Sequence, residues 1–428
     1  MIMQKSLDDK YLSCRKGVVF YYFGCGCIAD YFSNSIAFLD EIDIFMINAG
    51  CSNNTIFNVK RKARKVFGIS DDVFLKRIER LRKNGVIVFS ETPIFNHLYY
   101  YGEKGKFYPK EIALELSSKC NYFCPFCYKN ANINGIYMSD EIIRKIDKII
   151  HNKVNNILLT GGEPTLHPNL MKFIDTFSEY ANVSMITNGS ILFNLNPNGL
   201  RKLSQIQFSI YGCNNNEYKN LTGCGDGFTR LCKSIEFAKN NDIDTKISMT
   251  ICDKTYDHIE SFVETSISLG VNTLRIGIAD IFGRGRYLYS DNSVFFEKRN
   301  EILDKVSNLK CIYGDKIKIE IPNINYSHVN RHEDIVNCVY RGSLKCGCGS
   351  EYLVISETGR VRPCQMLPSE LFSFESDNSL SEHINGDFHI ESLKKCIRDY
   401  YSMNMLSIKN FSPCDSLDTI ATNEGFIK

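Results

Sequence analysis

The chain has 428 residues, 43% hydrophobic and 23% charged, proportions that fit soluble globular domains and exclude wholesale disorder. Lys and Arg number 51 against 49 Asp and Glu, a net charge of only +2. Neither nucleic acid nor an anionic membrane is therefore the expected partner. No apolar run approaches the ~20 residues of a membrane span, and Met1–Lys10 lacks the apolar stretch of a signal peptide, so the chain reads as cytoplasmic.

Val18 to Tyr22 reads as a strand, followed by a helical pattern from Ile36 through Ile47. Lys60–Phe67 and Asp71–Leu81 are further helices, the second opened by Ser70 as N-cap. Gly85 ends it, and Val86–Phe89 reads as a closing strand. Helices closed by a short strand pair predict a small winged-helix domain over residues 1–105. The basic run Lys60–Lys65 is interleaved with acids nearby and reads as a solvated helix face rather than a DNA-reading one.

From about residue 110 strands alternate with helices. The strands are Ile112–Leu116, Ile157–Leu159, Val183–Ile186, Ile206–Ile210, Ile247–Ile251 and Leu274–Ile278. Between them run helices at Asp140–His151, Leu170–Tyr180, Phe228–Ala238 and His258–Ser268. That alternation predicts βαβ units and a parallel sheet, an α/β fold built as a partial (β/α)6 TIM-type barrel over residues 106–330. In such barrels the chemistry sits on the loops after the strands. Residues 331–428 turn irregular and cysteine-rich, with a hairpin at Tyr352–Ser356 turning through Gly359 to Val361.

Eighteen cysteines in a cytosolic chain cannot be a disulfide framework and point to metal or redox chemistry. Cys213, Cys224, Cys232, Cys252 and Cys311 stand singly and read as small buried hydrophobes. Cys120, Cys124 and Cys127 instead form a Cys-x3-Cys-x2-Cys array just after the first barrel strand. Three thiolates on one loop hold three corners of a soft metal centre. A structural zinc site wants a fourth protein ligand, and no His or Cys lies nearby to supply it. An iron–sulfur cubane held by three cysteines leaves one iron open for a ligand; chance spacing is the bland alternative. Thr160-Gly161-Gly162-Glu163-Pro164 ends the second strand, with glycines that permit close backbone approach and a Glu that can accept from an ammonium.

These motifs, with Phe126 inside the array, Thr187-Asn188-Gly189 after the third strand, Ser209 on the fourth and Arg275 on the sixth, resemble the radical S-adenosylmethionine (SAM) superfamily over roughly residues 110–290. The resemblance implies a [4Fe–4S] cluster on Cys120, Cys124 and Cys127, whose open iron is chelated by SAM. It implies that Gly161, Gly162, Glu163 and Pro164 hold the methionine amino group, that Asn188, Ser209 and Arg275 serve SAM's polar groups, and that Phe126 lies near the adenine. The chemistry it implies is reductive cleavage of SAM to a 5′-deoxyadenosyl radical that abstracts hydrogen from an unactivated C–H bond.

Cys346 and Cys364, separated by a glycine-turned hairpin, resemble the first half of the SPASM/Twitch extension that binds auxiliary iron–sulfur clusters. The dense cysteine run of a full SPASM domain is missing, which favours a Twitch-like domain over residues 331–428 with one auxiliary cluster. Cys338, Cys348, Cys396 and Cys414 compete for its remaining positions, and zinc is the alternative metal. Gly283-Arg284-Gly285 is similar to a glycine–arginine turn of that group.

Before such a barrel, a winged helix resembles the recognition element that binds the leader of a ribosomally made precursor peptide (RiPP), by strand addition along an edge such as Val18–Tyr22. A structural cap or a nucleic-acid wing are the other readings. The resemblance therefore implies a radical SAM peptide maturase forming thioether or carbon–carbon cross-links, or epimerising with Cys252 or Cys311 as hydrogen donor. Its electron donor would be a flavodoxin or ferredoxin. The alternatives are maturation of a folded protein such as a sulfatase, and a metal-sensing winged-helix regulator.

Overall fold

A computed structural model describes residues 6–23, 26–31, 35–279, 283–287, 299–320, 352–362, 365, 380, 381 and 384. The cysteines proposed for an auxiliary cluster, Cys338, Cys346, Cys348, Cys364, Cys396 and Cys414, lie outside the described residues. The chain divides into two compact units, the first containing Met1–Lys110 and the second beginning at Glu111.

In the first unit, β1 (Tyr11–Cys14), β2 (Val19–Phe23), β3 (Gly26–Tyr31) and β4 (Ser35–Leu39) precede α1 (Glu41–Cys51), α2 (Ile56–Phe67), α3 (Asp71–Lys83), β5 (Ile87–Ser90) and β6 (Tyr99–Tyr101). Helix starts follow side-chain caps: Asp40 forms a capping box with Asp43, and Thr55 and Ser70 accept from backbone N–H groups of the first turns. The helix expected from Ile36 therefore begins only at Glu41. Ile36 to Leu39 is extended instead, because β3 pairs antiparallel with it from Cys27↔Leu39 to Tyr31↔Ser35. The three helices and the antiparallel pair β1–β5 close over Leu12, Met46, Ile47, Ile56, Val59, Phe74 and Ile78.

Beside these elements stands a second sheet that the sequence did not reveal, ordered β4-β3-β2-β6. It corrects the expectation for Val18–Tyr22. That strand lies between β3 and β6, its ladder groups already paired, and among the described residues the outer strands are β4 and β6. The basic face of α2 is partly neutralised: Lys60 meets Asp8 at 3.0 Å and Arg64 meets Asp71 at 3.6 Å.

In the second unit the six expected strands are β7 (Glu111–Glu115), β8 (Asn156–Thr160), β9 (Asn182–Thr187), β10 (Gln205–Ile210), β11 (Thr245–Ile251) and β12 (Thr273–Ile278). Among them run α4 (Asp140–Ile150), α5 (Leu170–Ser178), the short α6 (Pro197–Leu200), α7 (Asn215–Thr222), α8 (Gly227–Asn240) and α9 (Ile259–Ser268). After β12 come α10 (Arg299–Tyr313), β13 (Lys318–Glu320), β14 (Tyr352–Ile355) and β15 (Val361–Arg362).

The sheet is larger than the six-strand expectation. Its order is β13-β12-β11-β10-β9-β8-β7-β14-β15, parallel from β13 to β14 with β15 antiparallel at the edge. β13 escapes sequence reading because it is three residues long. Strand residues alternate: Ile157, Leu159, Val183, Met185, Ile206, Phe208, Ile247, Met249, Leu274 and Ile276 are buried on one face. The other face carries polar residues in register, Ser209 beside Ser248 and Ser248 beside Arg275. The hairpin turns where expected, with Gly359 at φ +83°, a conformation a side chain would strain.

Candidate active site

Three loops at the C-terminal ends of β7, β8 and β9 build the site. The chain leaving β7 folds back on itself through bridges Ser117↔Tyr137 and Lys119↔Asn132. Ser117, fully buried, accepts from the Lys119 N–H at 2.7 Å and donates to the Ile136 carbonyl at 3.0 Å. Cys120 is held by its own N–H on the Asn132 carbonyl at 2.9 Å. The turn after β8 packs onto this loop so tightly that a Cβ on Gly162 would stand 2.2 Å from the Lys119 carbonyl oxygen, and one on Gly161 2.5 Å from that of Ser117. The two glycines thus serve the approach of loop to loop, whereas the sequence suggested approach of loop to ligand.

Arg284 closes the loop from the other side. Its backbone N–H donates to the Cys127 carbonyl at 2.9 Å. The guanidinium, nearly buried, donates to the carbonyls of Cys124 at 2.8 Å and Ala131 at 2.7 Å, and to Asn130 at 3.2 Å, while lying 4.0 Å from the centre of the Phe123 ring. The glycine–arginine turn singled out in the sequence therefore clamps the cysteine loop.

The Cys120 sulfur accepts from the Tyr122 N–H at 3.5 Å and from the Asn188 amide at 3.9 Å. Burial pushes its pKa up to about 12, with the Glu163 carboxylate adding to the rise. Burial likewise pushes the Cys124 thiol above its ordinary range, and the thiols of Cys127 and Cys120 add to it. Among the described residues no three His, Cys, Asp or Glu side chains are gathered into a closed metal-binding group. The donor set nevertheless fits an iron–sulfur cluster with one open iron in kind and number: three thiols on one braced loop, made ionisable by the positive charge of bound iron.

Glu163 is buried at 1% exposure, and its carboxylate accepts from protein donors. One oxygen takes the Thr165 N–H at 3.0 Å and the hydroxyls of Thr165 and Thr187 at 2.6 Å each; the other takes the Asn188 N–H at 2.7 Å. Burial pushes its pKa up while these donors work against the rise. Pro164, buried, opens the turn that positions Thr165. The Asn188 side chain is also engaged, donating to Asn121 at 2.9 Å and accepting from the Ser190 N–H at 2.9 Å. Glu163 and Asn188 thus join the loops after β8 and β9 to the cysteine loop.

Phe126 stacks on Tyr211, ring centres 6.2 Å apart, and Tyr211 meets Tyr122 and Tyr218 edge-on. Ser209 lies two residues before Tyr211, whose hydroxyl burial pushes well above its ordinary range while Ser209 works against the rise. A cavity of about 340 Å³ opens beside Tyr211 between the loops after β10 and β11, lined also by Glu217, Lys254, Thr255 and His258. Arg275 stands on β12 between Ser248 and Glu320, with no bond to the cysteine loop among the described residues. Cys252 is buried at the end of β11, where its N–H donates to the Thr255 hydroxyl at 2.8 Å. Cys311 corrects the expectation of burial: it lies on the outer face of α10, exposed, and Cys213, Cys224 and Cys232 are only half-buried.

The structure also assembles residues that sequence reasoning passed over. Tyr211 carries no local motif. Glu115, in contrast, left a signal: a carboxylate inside the apolar run Ile112–Leu116 must find a partner if that run is a buried strand.

Residues 114–265 match the Radical SAM superfamily. The subtilosin biosynthesis protein AlbA of Bacillus subtilis is 24% identical over 274 residues, 61% of this chain and 56% of AlbA. A probable GTP 3′,8-cyclase of Saccharolobus islandicus is 28% identical over 209 residues, 47% of this chain and 67% of that protein. The chain thus spans little more than half the length of AlbA. Among solved structures, Streptococcus suis SuiB bound to S-adenosylmethionine superposes with a TM-score of 0.60 at 14% identity, covering 88% of this chain and 89% of SuiB. SuiB bound to the precursor peptide SuiA also scores 0.60, covering 85% of each chain. At that identity the likeness is one of fold, an α/β architecture.

Proposed function

Residues 114–265 are a radical SAM domain, and from that premise we propose that the chain is an enzyme that cleaves SAM reductively and modifies a ribosomally made precursor peptide. The observation that carries the reading is the cysteine loop, braced at the strand ends by Arg284 on one side and by the Gly161–Glu163 turn on the other. The peptide substrate draws its support from the bacteriocin pathway in AlbA's name and from the SuiA peptide bound to SuiB.

In this reading Cys120, Cys124 and Cys127 hold the [4Fe–4S] cluster, which supplies the electron that breaks SAM's sulfonium bond when both are bound. Gly161, Gly162, Glu163, Pro164 and Asn188 shape the floor on which the methionine end rests, and Ser209 and Arg275 face SAM from the polar side of the sheet. The Phe126–Tyr211 stack gives an apolar wall that keeps water from the reacting carbon. Residues 1–105 bind the leader peptide, and strand addition falls to an outer strand, β4 or β6, rather than to β2. Residues 331–428 form a Twitch-like domain with an auxiliary cluster on Cys346 and Cys364 and others of their neighbours. Of the two hydrogen-donor cysteines we favour Cys252, buried at the C-terminal end of β11, over the exposed Cys311. A flavodoxin or ferredoxin in the cytoplasm supplies electrons; no helix among the described residues is long and apolar enough to cross a membrane.

The test is anaerobic reconstitution with iron and sulfide, then dithionite and SAM, with 5′-deoxyadenosine read by mass spectrometry. Product from the wild type and none from the Cys120→Ala, Cys124→Ala, Cys127→Ala variant is the expected result. No product from either, with zinc as the bound metal, would overturn the reading.

A further inference from the structure

Glu115, the last residue of β7, is fully buried. One oxygen accepts from the Tyr128 hydroxyl at 3.2 Å; the other accepts from the Lys129 ammonium at 2.6 Å and from the Arg362 guanidinium. The same ammonium reaches the Glu357 carboxylate at 2.6 Å. Tyr128 and Lys129 directly follow Cys127. Glu357 sits in the turn of the β14–β15 hairpin, Arg362 lies on β15, and Arg362 also donates to the Gln365 carbonyl at 3.3 Å. β14 already pairs with β7 in register from Tyr352↔Glu111 to Ile355↔Leu114. Backbone pairing alone attaches the hairpin, so the attachment needs no charge.

Two acids and two bases out of water are a costly way to hold a strand, and an apolar contact of the same size would often stabilise as well. What the quartet adds is direction: one carboxylate is shared between the residues after Cys127 and the residue two before Cys364. We propose that Glu115 is a positioning residue which locks the hairpin to the end of the cysteine loop, so that the two segments open together and its charge tunes a cluster held by that loop.

The test compares wild type, Glu115→Gln and Arg362→Met in the full chain. Hydrogen exchange is followed over residues 120–132 and 352–362, with β9 and β10 as internal controls. Each variant should speed exchange in both segments together, by roughly tenfold or more, and leave the control strands unchanged. The midpoint potential of the cluster, followed by electron paramagnetic resonance, separates charge from loosening. Removing the negative Glu115 should raise it and removing the positive Arg362 should lower it, whereas loosening alone would move both the same way. Exchange confined to one segment, or potentials that do not move apart, would overturn the proposal. Should Glu115→Gln not fold, Glu357→Gln takes its place beside Arg362→Met: removing the second carboxylate on Lys129 should raise the potential, and removing the guanidinium should lower it. The potential measurement rests on assigning the cluster to Cys120, Cys124 and Cys127. That assignment fails if the triple alanine variant keeps the SAM-responsive signal, whereas the lock fails with the cluster intact and exchange unchanged.

Discussion

Glu115 and Glu163 stand just past the middle of the same sheet, at the ends of adjacent strands β7 and β8, and both are buried. One is held by cations, the other by neutral donors. Lys129 and Arg362 reach Glu115 from two different segments of the chain. Glu163 takes its donors from Thr165, Thr187 and Asn188, whose hydroxyls and N–H groups carry no charge. The difference teaches what each buried carboxylate can do. A carboxylate among cations fixes distant segments at the expense of desolvating every partner. A carboxylate among neutral donors knits neighbouring loops at lower cost and is pushed toward its protonated form.

The sharpest way to break this comparison is to remove each carboxylate. Glu115→Leu leaves the buried Arg362 without its carboxylate and Lys129 with Glu357 alone, and should destabilise the folded chain by about 3–5 kcal/mol in denaturant unfolding. Glu163→Gln keeps size and shape but offers an amide to N–H and hydroxyl donors. It should cost less, about 1–3 kcal/mol; the reverse order would show that the two sites do not differ as described.

The pH dependence sharpens the contrast. Burial raises the Glu163 pKa above its ordinary value of 4.5. A carboxyl raised in the folded state contributes its stability below that ordinary value, and the contribution is lost as pH rises through the folded pKa. Wild-type unfolding free energy, measured across that window, should therefore carry a fall that Glu163→Gln lacks. A fall of equal size in the variant would assign it to another group. The smallest effect is expected from Thr187→Val, which removes one of the neutral donors to Glu163. Its cost should be about 0.5–1.5 kcal/mol, read as a small downward shift of the urea midpoint at constant slope.

Much of the barrel was legible because its strands are short apolar runs set between amphipathic helices, a pattern that survives without tertiary contacts. Ile157–Leu159, Val183–Ile186 and Ile247–Ile251 all lie within observed strands. The misreading at Ile36–Leu39 has a specific cause. Apolar residues resume directly after Asp40-Glu41 at spacings that a helix also permits, so periodicity did not separate strand from helix; the boundary is made by the Asp40 capping box and the ladder to β3. β6 is three tyrosines whose extended state depends on pairing with β2. In the site, Cys120, Cys124 and Cys127 were legible by spacing, and the Gly161–Glu163 turn by composition. Arg284 could be singled out but not given its work, because its acceptors lie more than 150 residues earlier in the chain.

The sequence alone determined the α/β class, the six central strands, the placement of the cysteine array and the glycine turn on successive strand ends, and the likeness to radical SAM proteins. Each is a local pattern, a periodicity or a spacing within a few residues, and local patterns are written where they act. Only the tertiary structure decided that β2 is interior to its sheet, that Gly162 faces the Lys119 carbonyl, that Arg284 grips the cysteine loop, and that Glu115 is shared with Arg362. Those are meetings of residues far apart in the chain. Their partners are selected by the packing of whole elements, which no short stretch of sequence contains.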